Sequence, residues 1–164
     1  MSDPTKAYDD LIKELKRLDY FASSLALLSW DEQVLMPTNS AELRGNQKSV
    51  LADLYHREST HPKIDQWLQT LEACRDGLTF EQQVVVDNAR KDYDRSAKIP
   101  SEFVARKSMA ETLSYQAWIK ARQENAFDTF APHLKTMLAL AQEEASILGA
   151  TKPYDYWIDR FDPG

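Results

Sequence analysis

Glycine occurs only four times in this chain of 164 residues, and that scarcity constrains the fold more than any other feature. Tight hairpins, bulges and phosphate-cradling loops need backbone conformations that glycine adopts at little cost. A strand-rich architecture is therefore not expected, and neither G-x-G-x-x-G nor a P-loop pattern occurs. The seven prolines fall between periodic segments, where they start or stop helices.

The apolar residues repeat with helical spacing along the whole chain. The first helix starts with Asp3 as N-cap and Pro4 at its first position. Its stripe is Tyr8, Leu11, Ile12, Leu15, Leu18, Ala22 and Leu25, and it runs to about Leu35, because Pro37 disfavours helix at Met36. A second helix spans roughly 40–57, capped by Ser40, with Leu43, Val50, Leu51 and Leu54 facing the core. A third, 62–75, starts at Pro62, turns Ile64, Trp67, Leu68 and Leu71 inward and ends near Gly77. Thr79-x-x-Gln82 is a capping box that opens a fourth helix to about Ala97. That helix has the weakest stripe: Val86, Ala89, Tyr93 and Ala97. The fifth runs from Ser101 to about Glu124 on Phe103, Ala110, Leu113, Ala117 and Ala121. The sixth, from Asp128 to Leu148, uses Phe130, Leu134, Leu138, Ala141, Ala145 and Leu148 and stops at Gly149. The remaining residues form a loop with a short helical turn from Tyr154 to Phe161. The expectation is all-α: about six helices in one domain, residues 1–164, without repeat or linker.

The net charge of −6 argues against nucleic-acid and anionic-membrane partners. No apolar run reaches the roughly 18 residues of a membrane span, and the first residues lack the apolar core of a signal peptide. Cys74, the single cysteine, forms no internal disulfide, which suits a reducing, cytoplasmic setting. On its short helix it reads as a half-buried structural residue.

No catalytic, cofactor-binding or metal-binding residue emerges from spacing. His56 and His61 stand five apart, the wrong interval for one helix face. Glu58-x-x-His61 matches half of a carboxylate-bridged di-iron pattern, but no second copy follows. Asp31 and Glu32 are adjacent, as are Glu143 and Glu144, so neither pair can face one substrate; both read as surface or ion-pairing carboxylates. Arg90, Lys91, Arg95, Lys98, Arg106 and Lys107, interleaved with Asp92, Asp94 and Glu102, read as a solvated helical hairpin laced with salt bridges. Trp30, Trp118 and Trp157 lie in dense patches, where an indole fills a helix joint and its N–H meets a carbonyl.

Those patches carry a resemblance. The stretch LALLSWDEQVLMPTNSAELRGNQKSVLADLYHR, with Trp30, Asp31, Met36, Pro37, Arg44, Gln47 and Leu51, resembles the N-terminal signature of the carboxypeptidase Taq family of thermostable metallocarboxypeptidases. Trp118, Arg122, Phe127, Phe130, Pro132 and Leu134 are similar to a second block of that family. Pro153, Tyr154, Asp155, Asp159, Pro163 and Gly164 are similar to a third. The three blocks occur in order and cover nearly the whole chain.

The resemblance implies a long, all-helical, two-lobed hydrolase with a deep groove, which removes C-terminal amino acids from peptides with one divalent metal, zinc or cobalt. In the family the metal is held by the two histidines of His-Glu-x-x-His and a downstream glutamate. That motif does not occur here, so no ligand or general base is carried onto any residue of this chain. What carries over is the architecture of the N-terminal helices that wall the groove. Phe161-Asp162-Pro163-Gly164 matches the middle of the family pattern, so the chain is expected to be an N-terminal segment, inactive alone, whose partner is the catalytic region. The alternative is a stand-alone helical module that binds another protein. Three further expectations follow: an ion pair between Asp31 and Arg44, no peptidase activity or bound zinc, and self-association through an apolar face near the fourth helix and the aromatics Tyr154, Tyr156, Trp157 and Phe161, which pack on a neighbouring chain or fold back onto the helices as a plug.

Overall fold

The computed structural model of the chain describes residues 3–162; the side chains of Thr38 and Asp159 lie outside that description, as do Pro163 and Gly164 of the third block. The described residues form seven α-helices: α1 (Pro4–Val34), α2 (Ala41–Ser59), α3 (Pro62–Ala73), α4 (Phe80–Ala97), α5 (Ser101–Glu124), α6 (Phe127–Ile147) and the short α7 (Pro153–Phe161). Tight 3-10 turns, Thr38–Ser40 and Arg75–Gly77, precede α2 and α4. No strand occurs among the described residues, and none of these helices is long and apolar enough to cross a membrane.

Local chemistry sets the helix ends. The Asp3 carboxylate accepts the Thr5 N–H at 3.0 Å ahead of Pro4. Thr79 and Gln82 form the reciprocal capping box, 3.3 Å and 3.0 Å. His61, unforeseen as a cap, accepts the Lys63 N–H on Nδ1 at 3.2 Å. Ser40 precedes α2 without a side-chain capping bond. Asn125 (φ 52°) and Gly149 (φ 78°) end α5 and α6 in the left-handed region, which asparagine and glycine tolerate best.

Two packing units share the long α1–α2 hairpin. The first buries Ala7, Leu11 and Leu18 of α1 against Ile64, Leu68 and Leu71 of α3 and Val86 and Ala89 of α4. In the second, α5 lies along α2 and α6 lies along α5. α2 meets α5 closely at Gly45. A Cβ there would stand 2.6 Å from Met109 Sδ and 3.6 Å from Thr112 Cγ2, so the absent side chain lets the helices meet. α5 accordingly buries Ser108, Thr112 and Ser114 beside Phe103 and Ala121, small residues suited to close approach.

Arg44 fastens α1 to α2. Its Nη2 donates to Asp31 Oδ2 at 2.5 Å, its Nη1 to the Leu28 carbonyl at 2.7 Å and its Nε to Gln47 Oε1 at 3.1 Å. The Asp31 carbonyl accepts the N–H groups of Leu35 and Met36, both at 2.9 Å. One residue thus ends α1 with its backbone and holds α2 with its side chain; the ion pair is the one the sequence led us to expect. At the other end of α2, His56 is buried against the Ile99 backbone between α4 and α5.

Several assignments to the core need correction. Leu43 and Val50 of α2 are 62% and 68% exposed, and Leu113 of α5 and Leu138 of α6 are also on the surface. Ala22 and Ala97 are exposed as well. α2 and α5 carry apolar residues around much of their circumference, so periodicity marks a helix without saying which apolar side a neighbour covers. The α4–α5 pair is not a packed hairpin: α4 lies on α3, and α5 on α2 and α6.

Three outcomes follow. Leu68, with no exposed surface, loses about 3 kcal/mol of stability as Leu68→Ala, whereas Leu138→Ala changes it by less than about 0.5 kcal/mol; urea unfolding of both variants checks the contrast. Arg44→Met costs about 2 kcal/mol through unpaired acceptors at Leu28 and Asp31, and Arg44→Lys restores only part of it, because an ammonium lacks the planar fork. Burial pushes the His56 imidazole below its ordinary range, against the opposing Ile99 backbone and Asp53. Its contribution to stability is complete above the unfolded value of about 6.5 and is lost as pH falls below it toward the folded value. Unfolding curves from pH 7.5 down to 5 detect this fall, and His56→Gln flattens it.

Candidate functional site

The residues that sequence spacing marked for metal or nucleophilic chemistry are dispersed and engaged elsewhere. Glu58 pairs with Arg17 of α1. His61 spends its Nδ1 lone pair on the α3 cap, while His56 is buried at the end of α2 and His133 lies on α6. Cys74, the C-cap of α3, is half-buried beside Pro4, Tyr8 and Gln82. Among the described residues no group of three or more His, Cys, Asp or Glu side chains is placed to hold a metal ion. The donors present therefore do not fit the divalent metal that the resemblance implies.

The basic cluster separates into structural ties. Arg90 bonds Glu72 and Asp65 of α3 and Asp94 of its own helix. These carboxylates hold its guanidinium above the ordinary arginine range. Arg106 forms a two-bond pair with Glu143 of α6, 2.6 Å and 3.1 Å. The salt bridges exist, and Arg90–Asp94 lies within the expected set, but the others run to α3 and α6.

Chemistry concentrates in a cleft between α1, α2, α5 and α6. Its volume is about 310 Å³, and its lining includes Leu25 and Ser29, Lys48 and Ala52, Phe103 and Val104, and the charged groups Lys107, Glu111 and Glu144. Lys48 Nζ reaches Glu32 Oε2 at 2.8 Å, and Lys107 Nζ reaches Glu144 Oε2 at 2.5 Å. Both carboxylate side chains are nearly inaccessible, 3% and 8% exposed. Reading Glu32 and Glu144 as surface groups is therefore corrected; the ion-pairing half of that reading holds. Adjacent helical positions point about 100° apart, so Asp31 turns to Arg44 and Glu32 to Lys48, Glu143 to Arg106 and Glu144 to Lys107.

The cleft is short of positive charge. Lys48, Lys107, Glu111 and Glu144 line it, and Glu32 lies buried behind Lys48 outside the lining, so the five groups together carry one more negative than positive charge. Glu32 Oε1 is buried with no hydrogen-bond partner among the described residues. Glu111 has its nearest ammonium, Lys107, at 4.0 Å, beyond hydrogen-bond reach. Removal from water pushes the Glu111 carboxyl up, and nearby Glu144 adds to this while Lys107 and Lys48 oppose it. Taking such charges out of water is costly, so paired geometry here serves position more than stability.

α7 closes one side. Tyr156 donates to Glu144 Oε1 at 3.3 Å, Trp157 Nε1 donates to the Ala141 carbonyl at 3.3 Å, and Lys107 Nζ sits 5.5 Å from the Trp157 ring centre. The indole at a helix joint behaves as the sequence suggested. Trp118 instead stacks on Tyr115, with Arg122 against its ring, and Trp30 is exposed. The cleft itself left little trace in the sequence. Lys48 lies sixteen residues from Glu32, and Lys107 thirty-seven from Glu144.

Comparison with known proteins agrees with this architecture. The family model for carboxypeptidase Taq (M32) metallopeptidases matches residues 10–164. Thermostable carboxypeptidase 1 of Thermus thermophilus is 32% identical over 98% of this chain and 34% of its own length. Carboxypeptidase 1 of Bacillus subtilis is 28% identical over 92% and 30%. The M32 carboxypeptidase from Deinococcus radiodurans R1 superimposes with a TM-score of 0.73 at 33% identity, over 94% of this chain and 31% of that one. BsuCP has the same fold, with a TM-score of 0.91 at 24% identity over 97% and 32%. The chain thus spans about a third of the length of the relatives it matches. From Trp30 and Arg44 at the first joint to the folded-back α7, this chain belongs to the carboxypeptidase Taq (M32) metallopeptidase family.

Proposed function

We propose that this chain is the N-terminal, groove-walling and non-catalytic part of a metal-dependent carboxypeptidase that releases C-terminal amino acids from peptides, and that it is inactive by itself. The observation that carries this reading is the second half of α1. From Tyr20 to the C-cap Leu35 the exposed positions include Tyr20, Ala22, Ala26, Leu27, Trp30, Val34 and Leu35, and the polar ones are only Ser23, Ser24 and Gln33. A helix that exposes apolar residues around much of its circumference belongs inside a larger body. Lobes of one chain typically bury about 600–1,500 Å² against each other. If half of roughly 1,000 Å² is apolar, water exclusion contributes on the order of 12 kcal/mol before the costs of ordering and imperfect fit.

The partner that covers α1 is the catalytic region, which also supplies the metal ligands, zinc or cobalt being the metal. The half-buried lone Cys74 suits a cytoplasmic enzyme. Tyr154 and Phe161 of α7, 76% and 82% exposed, give self-association a second site when the catalytic region is absent. Tyr156 and Trp157 fold back onto α6, the second of the two outcomes expected for the tail.

The test is a chimera in which this chain replaces the matching third of the Thermus thermophilus enzyme. We expect the chimera to hydrolyse an N-blocked peptide from its C-terminus with added Zn²⁺ or Co²⁺, and the chain alone to release nothing above the blank. Peptidase activity of the chain alone, with one metal per chain lost on changing a histidine, overturns the reading. A folded but inactive chimera favours the stand-alone protein-binding module.

A further inference from the structure

We infer that the cleft between α1, α2 and α5 is a docking socket for one arginine side chain, presented by the polypeptide that covers α1. The inference rests on the proposed function for the identity of that polypeptide, the catalytic region. The chemistry of the socket rests on the cleft alone.

Three observations converge. The first is charge: Glu144 pairs with Lys107 and the buried Glu32, behind the lining, takes up the charge of Lys48, which leaves the Glu111 carboxylate of the lining as the excess negative charge. One further cation balances the set. The second is the state of Glu111. It lines the cleft, stands 4.0 Å from Lys107, and its carboxyl is pushed up by its surroundings. Both of its oxygens are available to a planar guanidinium, which binds a carboxylate with two parallel bonds. The third is shape. At about 310 Å³ the cleft is at the lower end of ligand pockets, and Leu25, Ala52, Phe103 and Val104 offer an apolar wall to a methylene stem.

A polypeptide side chain fits better than a free amine because of what surrounds the cleft. α2 floors it with Lys48 and Ala52, α1 walls one side with Leu25 and Ser29, and α5 walls the other from Phe103 to Glu111. On α1, Ala22 and Ala26 lie within two turns of Ser29 on the same side and are exposed. They continue into the uncovered surface around Trp30. A segment laid over that surface buries apolar area and carries its arginine into the cleft. Lysine is the poorer occupant, since a point charge engages one oxygen of Glu111 where the fork engages two.

The test uses the 164-residue chain and n-butylguanidinium chloride as the probe, followed by NMR chemical shifts with Glu111→Gln as the variant. Glu111 is about half exposed, so the variant is expected to fold. We expect saturable one-to-one binding, with shifts centred on Lys48, Val104, Lys107 and Glu111. n-Butylammonium binds several-fold more weakly, while n-butanol and butyrate do not compete. Glu111→Gln weakens the probe about tenfold or more, and Glu102→Gln, an exposed acid at the start of α5, leaves it unchanged. Equal affinity for butyrate, no saturable binding, or binding indifferent to Glu111→Gln overturns the socket. In the active chimera, Glu111→Gln lowers the temperature at which the lobes separate, which places the arginine on the catalytic region. If Glu111→Gln instead dissociates a homodimer of the chain and leaves the chimera unchanged, the occupant is a second copy and the commitment to the catalytic region fails. Probe binding by the chain beside an inactive chimera separates failure of the proposed function from failure of the socket.

Discussion

The guanidinium of Arg44 is the contact on which the architecture turns. It reaches the Asp31 carboxylate, the Leu28 carbonyl and Gln47 at once, and so fixes how α2 returns along α1 after the Met36-Pro37 turn. The next residue, Gly45, faces α5, where a Cβ would stand 2.6 Å from Met109 Sδ and force that side chain to move. Two consecutive residues therefore place α2 between α1 and α5. The width of the cleft, and which of its charged groups meet, follow from that placement.

The interior between these helices is unusually polar for the heart of a bundle. Ser108, Thr112, Ser114, Glu32 and Glu144 are all buried. Small hydroxyl residues let α5 lie close to its neighbours, while the lysine–glutamate pairs tie α1 to α2 and α5 to α6. Buried ion pairs seldom add net stability over well-packed apolar residues. Here they fix register: a one-turn slip of α5 would separate Lys107 from Glu144 and leave two charges unpaired away from water. α7 adds to the same register through Tyr156 and Trp157.

The relatives in this family are about three times as long as the chain. His56, His61, Asp31, Glu58 and Glu143 are committed to joints, a cap and ties, and among the described residues no three donors gather to hold a metal. The first half of α1 is enclosed by α3 and α4 and has a conventional core. The second half is largely apolar and uncovered. One helix thus joins a packed unit to an exposed apolar surface, and the charged cleft lies beside that surface.

The amino-acid sequence by itself determined the helical class, the helix limits to within a few residues, the Asp3 and Thr79–Gln82 caps, and the Asp31–Arg44 joint. Caps and turns depend on groups within about four residues of each other, and Asp31 and Arg44 flank a single proline turn, so each could be read locally. It also carried the family, through blocks built around those same joints. Burial was a different matter. Leu43, Val50 and Leu138 occupy positions in helical stripes yet face outward, while Glu32 and Glu144 are charged yet face inward. Periodicity reports which residues share a face, but exposure depends on what lies across from that face, and here the neighbour is set by long-range packing at Gly45 and Met109. The charged cleft belongs wholly to the tertiary structure. Its members come from four helices, and only the folded chain brings Glu32 to Lys48 and Glu144 to Lys107.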